Sequence, residues 1–130
     1  MVSYRTGLAR ARGLGAAKSG TGAFIKERLT GFSLVPLTLW GVWGALEIAR
    51  GDYATAVRWL SHPLNAVIVV LLIAVGFWHM SLGLRVIVED YIERPITKMA
   101  LLTLNIFACT LGAALAIFSV AKVAITGGVV

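Results

Sequence analysis

Three stretches of the chain carry no formally charged side chain: Leu29 to Leu46 (18 residues), Leu64 to Leu84 (21) and Met99 to Ala121 (23). A hydrocarbon core about 30 Å thick needs roughly 20 helical residues, so each stretch can cross it. Inside lipid the backbone must satisfy its own hydrogen bonds, and at these lengths a helix does so. The sequence therefore predicts an all-α integral membrane protein with three spans, near 29–48, 64–91 and 98–123. Composition agrees. With 58% hydrophobic and 14% charged residues, too little polar surface exists to clothe a soluble domain. The length suits one domain, and a single cysteine excludes an internal disulfide framework. The first span is the shortest, and Pro36 within it should kink it or loosen one turn.

The connections, Glu47 to Pro63 and Arg85 to Lys98, are too short to hold a folded catalytic domain. The second helix can run on from Arg85 to Tyr91 before Pro95 supplies a stop. The net charge of +6 resembles a nucleic-acid signal only until the charges are placed. Arg5, Arg10, Arg12, Lys18, Lys26 and Arg28 share one side with Arg94 and Lys98, whereas Arg50, Arg58 and Lys122 lie on the other. Eight against three predicts a cytoplasmic N-terminus and a C-terminus across the membrane. The charge then belongs to membrane topology and headgroups, with no nucleic-acid partner. Tyr53 and Trp59 fall near the outer boundary, where amphipathic rings prefer to sit. Residues 1–28 are basic and glycine-rich, which argues against a regular helix there. They read as a retained tail of a bacterial protein rather than a secretory signal or a mitochondrial transit peptide. Residues 127–130 form a short C-terminal tail.

Ionisable groups inside the spans carry the functional information. His79 lies well within the second span, where such a group is costly and normally has a partner or a task. As a neutral imidazole it can ligate a metal or hydrogen-bond a neighbouring helix, and helix contact is the commoner use. Gly76, Gly83, Val86 and Asp90 share its stripe at −3, +4, +7 and +11, so something bulky can approach the ring. Asp90 lies about 16 Å further along the helix, with Tyr91 beside it. Tyrosine and aspartate at a helix end are ordinarily an interfacial polar cluster; a phenol and a carboxylate can also arrange a quinone head. Arg28 at the mouth of the first span reads as snorkelling, or as a cation paired with an anion at that depth. Arg85 reads as snorkelling, Asn105 as an interhelical hydrogen bond and Cys109 as a small packing residue. No second histidine lies in another span, since His62 sits beside Pro63.

Taken together, His79-x3-Gly83-x6-Asp90-Tyr91 on a second membrane helix, with Arg28-x-Thr30 opening the first, resembles the small membrane anchors of succinate dehydrogenase, the D-type subunits of complex II. The resemblance extends to length, topology, orientation and the opening Met1-Val2-Ser3. It implies a helix bundle shared with a larger cytochrome b anchor, which would supply the second axial ligand of a haem b. His79 would be the first ligand and Arg28 would lie near a haem propionate. Tyr91 would hydrogen-bond ubiquinone, with Asp90 arranging the same pocket. An iron–sulfur subunit and a flavoprotein would complete an inner-membrane enzyme joining the tricarboxylic acid cycle to the respiratory chain. The chain alone would be non-catalytic. A quinol:fumarate reductase anchor is the near alternative, and a small transporter or haem-free structural helper the distant one.

Overall fold

In the computed structural model, which describes residues 6–13 and 21–127, each charge-free stretch lies within one long helix. A short helix α1 (Gly7–Ala11) comes first, its start capped by Thr6, whose Oγ1 accepts from the Ala9 amide at 3.2 Å. The three long helices are α2 (Thr21–Ala49), α4 (Pro63–Tyr91) and α5 (Pro95–Thr126). All three are long and apolar enough to cross a membrane, so the chain is a multi-pass membrane protein. His62 and Arg94 adopt extended backbone immediately before prolines at the first helical positions, where a missing N–H costs nothing. Pro95 therefore starts α5, and α4 has already ended at Tyr91.

One expectation needs correction. Glycine does not keep the first 28 residues out of helix, since Gly7–Ala11 and Thr21–Arg28 are helical. Gly22 is the only glycine between Thr21 and Arg28, and extending an existing helix carries no nucleation penalty. The retained-tail reading of residues 1–5 and 14–20, and the tail at 128–130, fall outside the described residues. Pro36, where the sequence predicts a kink or a loosened turn, lies inside α2, which runs unbroken from Thr21 to Ala49. In lipid a break would expose several more backbone groups than the one bond proline removes.

The sequence reading also missed a helix. α3 (Tyr53–Ser61) crosses the end of the molecule between α2 and α4, touching α2, α4 and α5. Its start is set by Asp52, whose Oδ1 accepts from the Thr55 amide at 2.9 Å and the Thr55 hydroxyl at 2.8 Å. Those bonds, the backbone one foremost, hold the Asp52 carboxyl below its ordinary value of 3.8. A depressed folded-state pKa stabilises the fold above the unfolded value, and the gain disappears as pH falls through the folded one. Acidification from pH 5 to about pH 3 should therefore loosen α3. Trp59 fluorescence reads this directly, and Asp52→Asn should keep the cap while removing the pH dependence.

Trp59 of α3 lies against Gly44 of α2 so closely that a Cβ at Gly44 would collide with the indole. Trp43 meets Trp59 edge-on with centroids 6.4 Å apart, and Trp40 meets Trp43 at 5.0 Å. Asn65 closes the corner by donating from Nδ2 to the Trp59 carbonyl at 2.9 Å. Gly44→Ala should overpack this corner and destabilise the detergent-solubilised protein by about 1–3 kcal/mol in thermal unfolding. Gly22→Ala, with open space around its Cβ position, should cost nothing in the same assay.

α2 and α5 each pack along α4 and not on each other, so the long helices form a row with α4 in the middle. The buried residues are small or polar: Thr30, Gly44, Asn65, Asn105 and Cys109. That is the expected pattern where lipid removes any hydrophobic drive between helices and close backbones and hydrogen bonds remain. Between α4 and α5, Asn105 Nδ2 donates to the Ser81 carbonyl at 2.9 Å, and Cys109 Sγ donates to Asn105 Oδ1 at 3.2 Å. The interhelical role read for Asn105 and the packing role read for Cys109 are both present. Gly112 lets the Phe77 ring lie against the α5 backbone. A single row cannot enclose anything. Phe32, Leu39, Phe107 and Phe118 point outward from α2 and α5 for lipid or further helices to cover.

Candidate functional site

The site forms where α2 and α4 approach each other near the N-terminal end of α2. Thr30 is 4% exposed, the most buried side chain named in this seam. Thr30 is the second residue of the apolar stretch, and its hydroxyl bonds back to its own helix, reaching the Lys26 carbonyl at 2.8 Å and the Glu27 carbonyl at 3.1 Å. Across the seam the same oxygen lies 2.8 Å from His79 Nδ1. Gly31 follows, and a Cβ there would sit 3.5 Å from His79 Cε1, so the bare α2 backbone forms one wall beside the imidazole. His79 is therefore held from one side and open on the other.

Its open side lines a groove of about 440 Å³ bounded by Phe24, Glu27, Arg28, Gly31, Phe32 and Val35. Arg28 lies with its guanidinium 5.1 Å from the centre of the Phe24 ring, which steadies the cation without neutralising it. Arg28 and His79 are thus brought together, 51 positions apart in sequence, by the register of α2 on α4. The groove combines a nitrogen able to donate a lone pair, a cation, and aromatic and aliphatic walls.

A second groove of about 400 Å³ continues along the same seam, lined by Gly22, Lys26, Glu27, Arg85, Val86 and Glu89 among others. Glu27 borders both grooves, and Gly83 between them has open space at its Cβ position. The His79–Gly83–Val86 stripe is therefore an uncovered trough. Arg85 is not a lone snorkelling cation, because it pairs with Glu89 one turn on at 2.7 Å. Both partners are half exposed, so the pair contributes at most about 1 kcal/mol.

Asp90 and Tyr91 stand at the end of α4, outside both grooves. Tyr91 is 80% exposed. Its phenol faces outward, and this chain by itself does not wall in the space beside it. The residue that sequence reasoning left without a role is Thr30. A threonine at the mouth of an apolar span was a visible signal, but its partner depends on the register between two helices.

Known proteins resemble this chain in sequence. Residues 2–121 match the model of the succinate dehydrogenase/fumarate reductase transmembrane subunit family. The chain is 30% identical over 94 residues to the succinate dehydrogenase hydrophobic membrane anchor subunit of Rickettsia conorii, covering 72% of this chain and 75% of that one. It is 29% identical over 90 residues to the same subunit of Rickettsia bellii, covering 69% and 72%. A match along nearly the whole chain, on three membrane-length helices, shows that this protein belongs to the succinate dehydrogenase/fumarate reductase transmembrane subunit family, as a membrane anchor.

Proposed function

We propose that this chain anchors a succinate:ubiquinone oxidoreductase in a bacterial inner membrane, supplying one ligand to a haem b and part of the ubiquinone-reduction site. The observation that carries the reading is the shared groove of His79 and Arg28. Its donor set fits a haem edge. The imidazole suits iron, the guanidinium suits a propionate, and Phe24, Phe32 and Val35 suit an apolar macrocycle. The groove is open and the helices stand in a row, so a larger cytochrome b anchor would complete the far wall and supply a further ligand to the iron. When bound, the haem would supply a one-electron carrier.

This chain's residues then have distinct tasks. His79 holds the iron and Arg28 balances a propionate charge at the membrane boundary. At the end of α4, Tyr91 donates a hydrogen bond to a ubiquinone carbonyl and stabilises the negative charge that develops as the ring is reduced. Asp90, next to it, fixes a partner cation in the same pocket. With the basic N-terminal side cytoplasmic, Tyr91 faces the side where the iron–sulfur subunit and flavoprotein dock. Purification through a tag on this chain in mild detergent should bring down a flavoprotein with succinate:ubiquinone reductase activity. Recovery of this chain without a flavoprotein would overturn the proposal. A preparation that reduces fumarate with menaquinol and leaves ubiquinone untouched would replace it with the fumarate reductase reading.

A further inference from the structure

Thr30 presents one hydroxyl proton to three neighbours: the Lys26 carbonyl at 2.8 Å, the Glu27 carbonyl at 3.1 Å and His79 Nδ1 at 2.8 Å. Only one assignment of protons suits all three distances. If the hydroxyl donated to Nδ1, the Thr30 oxygen would face the Lys26 carbonyl oxygen at 2.8 Å with no proton between them. Lone pair would then oppose lone pair at hydrogen-bond distance. If the hydroxyl donates back to its own helix, its lone pairs are free to accept from His79, and every contact has a proton.

We propose that Thr30 is a positioning residue that fixes the tautomer of His79. Nδ1 carries the proton and donates it to Thr30 Oγ1, which leaves the Nε2 lone pair bare. The contact to Thr30 is the only side-chain hydrogen bond His79 makes among the described residues. Gly31 against Cε1 adds a steric stop, so the ring is held in orientation as well as in protonation. A neutral imidazole on a flexible stem ordinarily samples both tautomers. Here the choice is made by an α2 hydroxyl that is itself tied to the α2 backbone. The cost of ordering the ligand is met on folding rather than on binding. Donation from Nδ1 also raises the basicity of Nε2, which favours an oxidised over a reduced iron. This inference rests on the haem reading for its consequence, though not for the tautomer itself.

Two measurements separate those parts. In the purified complex, Thr30→Val removes the acceptor while nearly keeping the shape, and Thr30→Ser restores it. Thr30→Val should weaken haem retention about tenfold, within the range for residues that orient metal ligands. The haem midpoint potential should move upward, by about 59 mV if the ferric form alone loses that tenfold. Thr30→Ser should return both to the wild-type values. A wild-type potential in Thr30→Val, or no recovery in Thr30→Ser, would overturn the positioning role. In the full chain in detergent without haem, ¹⁵N-histidine NMR with His62→Gln for assignment should show His79 protonated on Nδ1. In Thr30→Val the spectrum should shift toward the Nε2–H form. An Nε2–H form in the wild-type chain would overturn the tautomer assignment whatever the haem does. A wild-type complex without haem, in which the chain still shows Nδ1–H, would overturn the haem reading alone.

Discussion

Tyr91→Phe is expected to lower quinone reduction by the assembled complex roughly 10- to 150-fold while leaving succinate oxidation by a soluble dye acceptor unchanged. The magnitude follows from the charge the phenol meets. A hydrogen bond to a charged partner contributes about 1.5–3 kcal/mol, and each 1.36 kcal/mol on a barrier is a factor of ten in rate. A neutral carbonyl in the ground state receives less than the oxygen that gains negative charge during reduction. The loss should therefore fall on kcat and kcat/KM together, with little change in KM for the quinone. The structure bears on whether Phe is a clean substitution. Tyr91 ends α4, is 80% exposed and makes no side-chain hydrogen bond among the described residues, so removing its oxygen leaves nothing unpaired on this chain. An unchanged quinone-reductase rate would remove Tyr91 from the pocket.

His79→Ala carries the other large effect. In the proposed role His79 would hold a haem iron, and its removal would take that nitrogen ligand out of a groove this chain walls on one side only. The b-type absorption of the dithionite-reduced complex should fall at least about tenfold relative to flavin, within or beyond the range seen for residues that merely support metal ligands. The same change deletes the partner of the buried Thr30 oxygen. Because that hydroxyl still donates to its own helix, the fold should lose little. His62→Gln separates ligation from general damage, since His62 caps the far end of α4 without a side-chain cap bond and should leave the haem spectrum unchanged. Retention of a full b-type spectrum in His79→Ala would exclude this residue as a ligand.

Long elements were legible in the sequence because lipid imposes one simple demand on them. Roughly 20 residues without charge can only be helix at that depth, so α2, α4 and α5 followed from counting. α3 did not, because nine residues between two spans produce no such constraint and its start rests on one local cap, Asp52 to Thr55. At the site, His79 stood out because an ionisable side chain inside a span is costly wherever its helix packs. What it touches was not legible. Thr30 and Arg28 reach the His79 neighbourhood through the register of α2 on α4, which depends on glycines at the seam and on the Trp59–Gly44 contact at the far end. Asn105 shows the same division. Its role as an interhelical donor was readable from polarity in an apolar span, and its acceptor, the Ser81 carbonyl, was not.

The row of helices explains why this protein works as a subunit. Among the described residues α4 is the only long helix flanked on both sides, and the groove it forms with α2 is lined by His79 and Arg28. A partner that lies along this groove would cover His79 and, further along α4, the stripe that leads to Asp90.

The most direct test is the haem-to-flavin ratio of the complex purified through a tag on this chain, read from the dithionite-reduced minus air-oxidised spectrum. The account predicts a b-type haem present in an amount equal to the flavin. Flavin without haem would contradict the roles given to His79 and Arg28, and the absence of both would contradict the proposed assembly itself.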